Sequence, residues 1–276
     1  MGIELPSSLS PSSVSAFKDC PLAFKFSYLD RLPQPPSPAM TKGTLVHRAL
    51  ERLHGRPADE RLLDAALTDL DDARAEMATH PDITELELTD EEWDSFYRDA
   101  KTLVERYFEI EDPRTVRTVG LELKLSARIG RLTLRGIIDR LDLDENGELV
   151  VIDYKTGAVP SEFFENARLS GVHIYALLVE QVFGRRPASV QLLYLAKPLA
   201  IVATPSEQTL RGVTSKTSAI WTAVERACAN DDFRPRPSRL CDYCTFKPYC
   251  PAHGGNPADA QKLLEPMTAP TMVNTP

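Results

Sequence analysis

Apolar residues recur at two periods along this chain, and the change of period divides it. TLVHRALERLH, residues 44–54, carries them at three-and-four spacing and stops at Gly55, which predicts an amphipathic helix. The same spacing returns in ADERLLDAALTDLDDARAEM and DEEWDSFYRDAKTLVERYF, so residues 57–112 read as an acidic helical insertion covering the core. The period then falls to two: LELKLSARIG, RLTLRGIIDRLDLD and ELVVIDYKT predict three strands. EFFENARLSGVHIYALLVEQVFG predicts a helix interrupted at Gly171. SVQLLYLA and PLAIVATP predict a further hairpin, and SEQTLRGVTSKTSAIWTAVERACAN a long helix opening at Ser206. Near the N-terminus, Ser10 or Ser12 caps a short helix anchored by Phe17, Phe24, Phe26 and Tyr28, and PQPPSP breaks the chain at 33–38. Residues 254–276 carry few order signals and read as a flexible tail. The whole predicts an α/β fold with a mixed, mainly antiparallel central sheet flanked by helices.

Two of the strands end in carboxylates where the pattern calls for an apolar residue. Ile137-Ile138-Asp139 and Val150-Val151-Ile152-Asp153 flank Asp144-Glu145-Asn146-Gly147. A three-residue loop, Glu145 to Gly147, centres the hairpin on Asn146 and sets Asp139 opposite Asp153, with Cβ atoms about 5 Å apart. A two-residue Asn-Gly turn would shift the register by one and separate them. Lys155 lies two residues beyond Asp153 and shares its face. Adjacent buried carboxylates are costly unless compensated. A lysine offsets one charge; a divalent cation offsets both, and Mg²⁺ suits one or two carboxylates with waters and phosphate oxygens. The same spacing also suits a structural arrangement, with Asp153 paired to Lys155 and Asp139 to Arg140 or Arg135.

Composition narrows the field. With 42% hydrophobic and 26% charged residues in 276, the chain is an ordinary globular one. No apolar run of 18 residues predicts a membrane span, and MGIELPSSLSPSS lacks the basic and apolar regions of a secretory signal, so a cytoplasmic protein is expected. A net charge of −8 argues against coating nucleic acid by bulk charge but leaves a local basic groove open. Cys241, Cys244 and Cys250, spaced C-x2-C-x5-C, point to metal ligation rather than disulfides, while Cys228 in AVERACAN reads as packing. The chain has no G-x-x-x-x-G-K-[ST] phosphate loop and hence no ATP-driven motor of that type.

Gly136-Ile137-Ile138-Asp139-Arg140, followed by Val151-Ile152-Asp153-Tyr154-Lys155-Thr156-Gly157, resembles the PD-(D/E)xK nuclease superfamily. The resemblance is closer to its RecB-family exonuclease branch, which includes the Cas4-like proteins. Gly43-Thr44-Leu45-Val46-His47, Cys20-Pro21 and the closing Cys241 to Cys250-Pro251 extend it over residues 9–251. It departs where that branch often places Gln four residues before a tyrosine: here Gly171 precedes Tyr175.

The resemblance implies a restriction-endonuclease-like domain over 1–253, with segment 233–251 tied to Cys20. It implies a metal-dependent DNA nuclease, exonucleolytic on single-stranded or free-ended DNA in repair or recombination, with a helicase or repair partner supplying any unwinding. A Cas4-like role in CRISPR spacer acquisition and a non-catalytic DNA- or partner-binding module are the alternatives. By the same resemblance His47, Asp139, Asp153 and the backbone carbonyl of Tyr154 hold Mg²⁺ or Mn²⁺, and Lys155 orients or deprotonates the attacking water. Glu122 is an additional candidate carboxylate. Glu51, one turn after His47, reads as a surface partner of Arg48 or Arg52. Cys20, Cys241, Cys244 and Cys250 would hold a [4Fe–4S] cluster as a structural staple, although four thiolates also suit Zn²⁺. Arg234, Arg236, Arg239 and Lys247, with Phe246 and Tyr249, could track a single strand by phosphate contacts and stacking.

Overall fold

The computed structural model describes residues 2–159 and 162–264, with the backbone alone for 162–170. Helix α1 (Pro11–Asp19) starts where the Ser10 hydroxyl accepts from the Ser13 N–H while the Ser13 hydroxyl accepts from the Ser10 N–H, so Ser10 rather than Ser12 is the cap. Helix α2 (Pro21–Phe24) follows Cys20. Helix α3 (Pro38–Gly55) begins earlier than its apolar stripe. Pro38 sits in its first turn and the Ser37 hydroxyl accepts from the Met40 N–H. Helices α4 (Leu63–Met77), α5 (Pro81–Thr84) and α6 (Asp90–Tyr107) make up the acidic insertion. A reciprocal cap between Thr89 and Glu92 opens α6, and Asp90, Glu91 and Glu92 place negative charge where the helix dipole favours it.

The strands follow: β1 (Arg117–Ile129), β2 (Leu132–Leu143), β3 (Leu149–Lys155), then helix α7 (Glu162–Phe183), β4 (Ser189–Tyr194), β5 (Leu199–Ala203) and helix α8 (Glu207–Asn230). They form one sheet in the order β1-β2-β3-β4-β5. β3 and β4 are parallel, joined through α7, and the other pairs are antiparallel. Helix α7 runs through Gly171 without a break, unlike the interrupted helix expected. One interior glycine costs only about 1 kcal/mol relative to alanine. The buried Val172, Ile174, Ala176, Leu177, Leu178 and Val179 outweigh it.

The β2–β3 hairpin has the register centred on Asn146: Arg140 faces Ile152, Leu141 faces Val151 and Leu143 faces Leu149. Asp144 builds the turn, its Oδ1 accepting the N–H groups of Asn146 and Glu148 at 2.8 Å, while Gly147 takes φ +76°, a conformation that favours glycine.

Two compact units result. One, Pro35–Lys216, carries the sheet and α3 to α7. The other combines Met1–Gln34 with the chain from Thr217 onward. In the sheet unit, α3, α4 and α6 pack over Val150, Ile152, Tyr154, Leu193 and Leu195. Since alternate strand residues face opposite sides, Asp153 and Lys155 point away from that layer. In the other unit Phe26 packs against Phe246, and Pro257–Leu264 forms a 3₁₀ helix that buries Ala260. The first part of the expected tail is thus folded, while residues 265–276 lie outside the described residues. No helix among the described residues is long and apolar enough to cross a membrane.

Candidate active site

The β2–β3 ladder ends at the Arg140–Ile152 pair, and the next residues in register are Asp139 and Asp153. There the strands are linked by a side chain: Oδ2 of Asp139 accepts the Tyr154 N–H at 2.7 Å. Asp153 is only 7% exposed. The ammonium group of Lys155 lies against its Oδ2, an ion pair without good hydrogen-bond geometry, and that oxygen has no other partner among the described residues. His47 enters from α3, its Nδ1 3.5 Å from Asp139 Oδ2 and its ring edge-on to Tyr154 at 5.7 Å. The residues singled out from sequence at four separate positions therefore converge.

Two motif glycines allow this convergence. A Cβ on Gly43 would stand 3.1 Å from Thr156 Oγ1, so glycine lets α3 lie close to the end of β3. A Cβ on Gly136 would meet Leu178 Cδ1 at 2.8 Å and Tyr175 Cε1 at 3.1 Å, so glycine lets α7 lie against β2. At Gly171, by contrast, a Cβ would meet nothing within 4 Å among the described residues.

Sequence spacing allows Arg140 as a partner of Asp139. The alternation of the strand turns it to the opposite face instead, where it is fully buried. It donates to Asp142 Oδ2 at 2.9 Å and to the Tyr154 hydroxyl at 2.7 Å, and its NH1 lies 2.6 Å from Glu111 Oε1. His54, with no role assigned from sequence, completes this cluster: its Nε2 lies 2.7 Å from Arg140 NH1 and its Nδ1 3.1 Å from Thr118 Oγ1. Arg140 can only donate, so Nε2 accepts and the ring is neutral. Burial, then the charges of Arg140 and Arg61, hold the His54 pKa down to about 2.

Glu122, carried by β1, also reaches the site. Its neighbours Leu121 and Leu123 pair with Arg140 and Ile138, which puts Glu122 opposite Asp139. One donor atom each from His47, Glu122 and Asp139 lies within 4.8 Å of the others. This group is only half legible in sequence. The two-residue link Gly130-Arg131 between Ile129 and Leu132 sets the β1–β2 register, and that link is the signal that places Glu122 beside Asp139. Burial, then Asp139 and Glu51, raise the Glu122 pKa. Burial also raises that of Asp153, against Lys155, with Asp139 adding to the rise. For His47, burial acts downward, but Asp139 and Asp153 outweigh it and the pKa is raised. Each shift expresses crowded negative charge in a partly dry site. A cavity of about 830 Å³ opens over it, lined by His47, Glu122, Asp139, Ile137, Lys124 and Tyr175 among others. The donor set of carboxylates with one imidazole fits a divalent cation. Glu51 pairs with Arg48 through Oε2, as its spacing suggests.

The four cysteines lie in the other unit. Cys20, Cys241, Cys244 and Cys250 line one cavity of about 260 Å³ with Ala16, Ala23, Pro235 and Leu240. The Arg236 N–H points at Cys20 Sγ at 3.5 Å and the Ser238 N–H at Cys241 Sγ at 3.4 Å, as suits thiolates. Burial raises the Cys244 pKa, the neighbouring thiols adding to it. Among the described residues, no three of these sulfurs gather within 4.8 Å of one another. Cys228 is buried in α8 as a packing residue. Of the basic residues nearby, Arg234 pairs with Asp232, Lys247 with Asp242, and Arg236 donates to the Lys18 carbonyl; Phe246 is buried.

A family model described as the PD-(D/E)XK nuclease superfamily matches residues 8–251. No curated protein matches the chain. Among solved structures, a candidate exonuclease from Eubacterium rectale is similar at a TM-score of 0.53 and 14% identity, with 87% of each chain covered. A protein designated SSO0001 is similar at a TM-score of 0.43 and 13% identity, covering 91% of this chain and 89% of its own.

Proposed function

From the premise that this chain belongs to the PD-(D/E)XK nuclease superfamily, we propose that it is a metal-dependent deoxyribonuclease of the RecB-like exonuclease type, acting on free or single-stranded DNA ends. The observation that carries this reading is the meeting of Asp139, Asp153, Lys155 and His47 where β2 and β3 part, with Asp139 fixed by the Tyr154 N–H.

Asp139, Asp153, His47 and the Tyr154 carbonyl are the residues that would hold Mg²⁺ or Mn²⁺. Such a cation, when bound, polarises a phosphoryl oxygen and lowers the pKa of a coordinated water. The chain's own contribution is positional. The Tyr154 N–H occupies one lone pair of Asp139 Oδ2 and so fixes the carboxylate's direction. Lys155, one-third exposed, sets its ammonium group against Asp153 Oδ2, where it can orient the attacking water, relay its proton and stabilise charge on the phosphate. Asp153 keeps that ammonium group in place. Gly171 leaves its helix without the glutamine amide often found there in the RecB-like branch, while Tyr175 and Lys124 are among the groups that line the cavity.

In the other unit, under the same proposal, Cys20, Cys241, Cys244 and Cys250 hold a [4Fe–4S] cluster. Four thiolates lining one cavity suit such a cluster, and they suit Zn²⁺ as well. The cluster would close a very long loop and tie the unit's two chain segments together.

Strand polarity and end dependence are tested with labelled linear DNA against covalently closed single-stranded circles, in Mg²⁺ or Mn²⁺. Linear strands should shorten progressively from an end while circles survive. Rapid cutting of circles would overturn the exonuclease assignment.

A further inference from the structure

Three observations set Glu122 apart from the other acidic residues of the cavity wall. Its carboxylate has no hydrogen-bond or ion-pair partner among the described residues, whereas Glu51 and Glu76 are both taken up by Arg48. Its backbone holds φ +44° inside a strand, a conformation that costs about 1–3 kcal/mol for a residue with a side chain. And it stands opposite Asp139, with a donor oxygen within 4.8 Å of both Asp139 and His47. A half-buried carboxylate beside another, held there against backbone preference, is destabilising in the metal-free chain. A protein optimised for fold alone would place glycine or a neutral residue there.

We infer that Glu122 is a ligand of the cation site, sharing the ion with His47 and Asp139, so that the site draws on three adjacent strands and α3 rather than on the β2–β3 hairpin and α3 alone. This rests on the nuclease reading of the same site and deepens it. The chemistry is that of a hard divalent ion: two carboxylates supply the charge and a neutral imidazole the third donor. Asp153, engaged by Lys155, is then freer to serve the lysine and the water than to carry the ion by itself.

The test is Mn²⁺ binding without DNA, followed by electron paramagnetic resonance and by the Mn²⁺-induced rise in melting temperature. The full-length protein is compared with Glu122→Gln, Asp139→Asn and Glu51→Gln. Glu122→Gln should weaken Mn²⁺ binding about tenfold or more and shrink the melting shift, while melting in EDTA is unchanged or higher because a carboxylate repulsion is gone. Glu51→Gln, which removes a nearby charge that is not a ligand, should change binding by less than about threefold. Native-like Mn²⁺ binding by Glu122→Gln alongside a loss in Asp139→Asn would overturn the role of Glu122 and leave the nuclease site standing. Equal weakening by Glu51→Gln would reduce the effect to bulk charge and overturn it as well. If Asp139→Asn also bound normally, the nuclease reading itself would fall. Should Glu122→Gln fold poorly, Glu122→Gly accepts the positive φ and serves the same comparison.

Discussion

Asp139 and Tyr154 are joined across two strands by a single bond, carboxylate Oδ2 to backbone N–H at 2.7 Å, one step beyond the last backbone pair of the hairpin. The bond substitutes a side chain for a rung of the ladder. It thereby turns the acid toward His47 instead of leaving the strand ends to splay. Asparagine can still accept there through its own oxygen, so Asp139→Asn should melt within about 1 kcal/mol of the native protein while losing Mn²⁺ binding. A large loss of stability in EDTA would mean that the charge, and not the hydrogen bond, holds the strand ends.

Lys155 meets a carboxylate that is 7% exposed and whose Oδ2 has no other partner among the described residues. Removing the lysine should destabilise the fold by about 1–3 kcal/mol, less than a fully buried pair because Lys155 reaches solvent. Lys155→Ala/Asp153→Asn should recover most of that loss without recovering any cleavage. Urea denaturation in EDTA reads the first effect and a nuclease assay the second. Additive losses in the double variant would refute the coupling.

Gly136 and Gly171 should respond in opposite directions to alanine. At Gly136 the new methyl group meets Leu178 and Tyr175, and we expect a cost of about 1–3 kcal/mol. At Gly171 it meets nothing within 4 Å among the described residues, and relief of helix entropy should stabilise by about 0.5–1 kcal/mol. Melting temperatures of the two variants that moved together would contradict the packing described for α7.

His54 supplies a pH dependence. Its folded pKa lies near 2 while the unfolded chain takes up that proton near the ordinary value of 6.5. The unfolded state therefore binds more protons between those values, and stability falls as pH is lowered through about 6.5. The slope approaches about 1.4 kcal/mol per pH unit once the unfolded histidine is protonated. Urea midpoints at pH 7 and pH 5.5 should differ more for the native protein than for His54→Gln. Equal differences would show that the ring is already solvated or charged in the fold.

In the cysteine-bearing unit, Cys241→Ser should lower the melting temperature by about 5 °C or more and reduce bound iron together, since the proposed cluster would serve as a tether. Protein purified without oxygen should be brown. Unaltered melting in a colourless, iron-free variant and parent would end the staple proposal.

Much of this arrangement is legible in the sequence, and the reasons are local. Hairpin register follows from the turn, and the turn from Asp144, Asn146 and Gly147, so the juxtaposition of Asp139 and Asp153 is encoded within a dozen or so neighbouring residues. Helix limits follow caps such as Ser10, Thr89 and Ser206. Features that depend on longer range are not legible in the same way. Arg140 stands beside Asp139 in sequence, yet the strand turns it away, and its partners His54, Glu111 and Tyr107 come from helices and loops remote in the chain. Gly171 does not break its helix because tertiary burial of the helix face outweighs one residue's preference. Glu122 carries no mark of its role among its immediate neighbours; its place beside Asp139 follows only from the β1–β2 register that the Gly130-Arg131 link sets.

Hydrolysis of phosphodiesters by His47, Asp139, Asp153 and Lys155 with a divalent cation is tested most directly by the rate of Mn²⁺-dependent degradation of end-labelled DNA. Native protein is compared with Lys155→Met, both shown to be folded and free of contaminating nuclease. We expect cleavage that EDTA abolishes and that Lys155→Met lowers by about 100-fold or more. Equal rates for the two folded proteins would contradict the account.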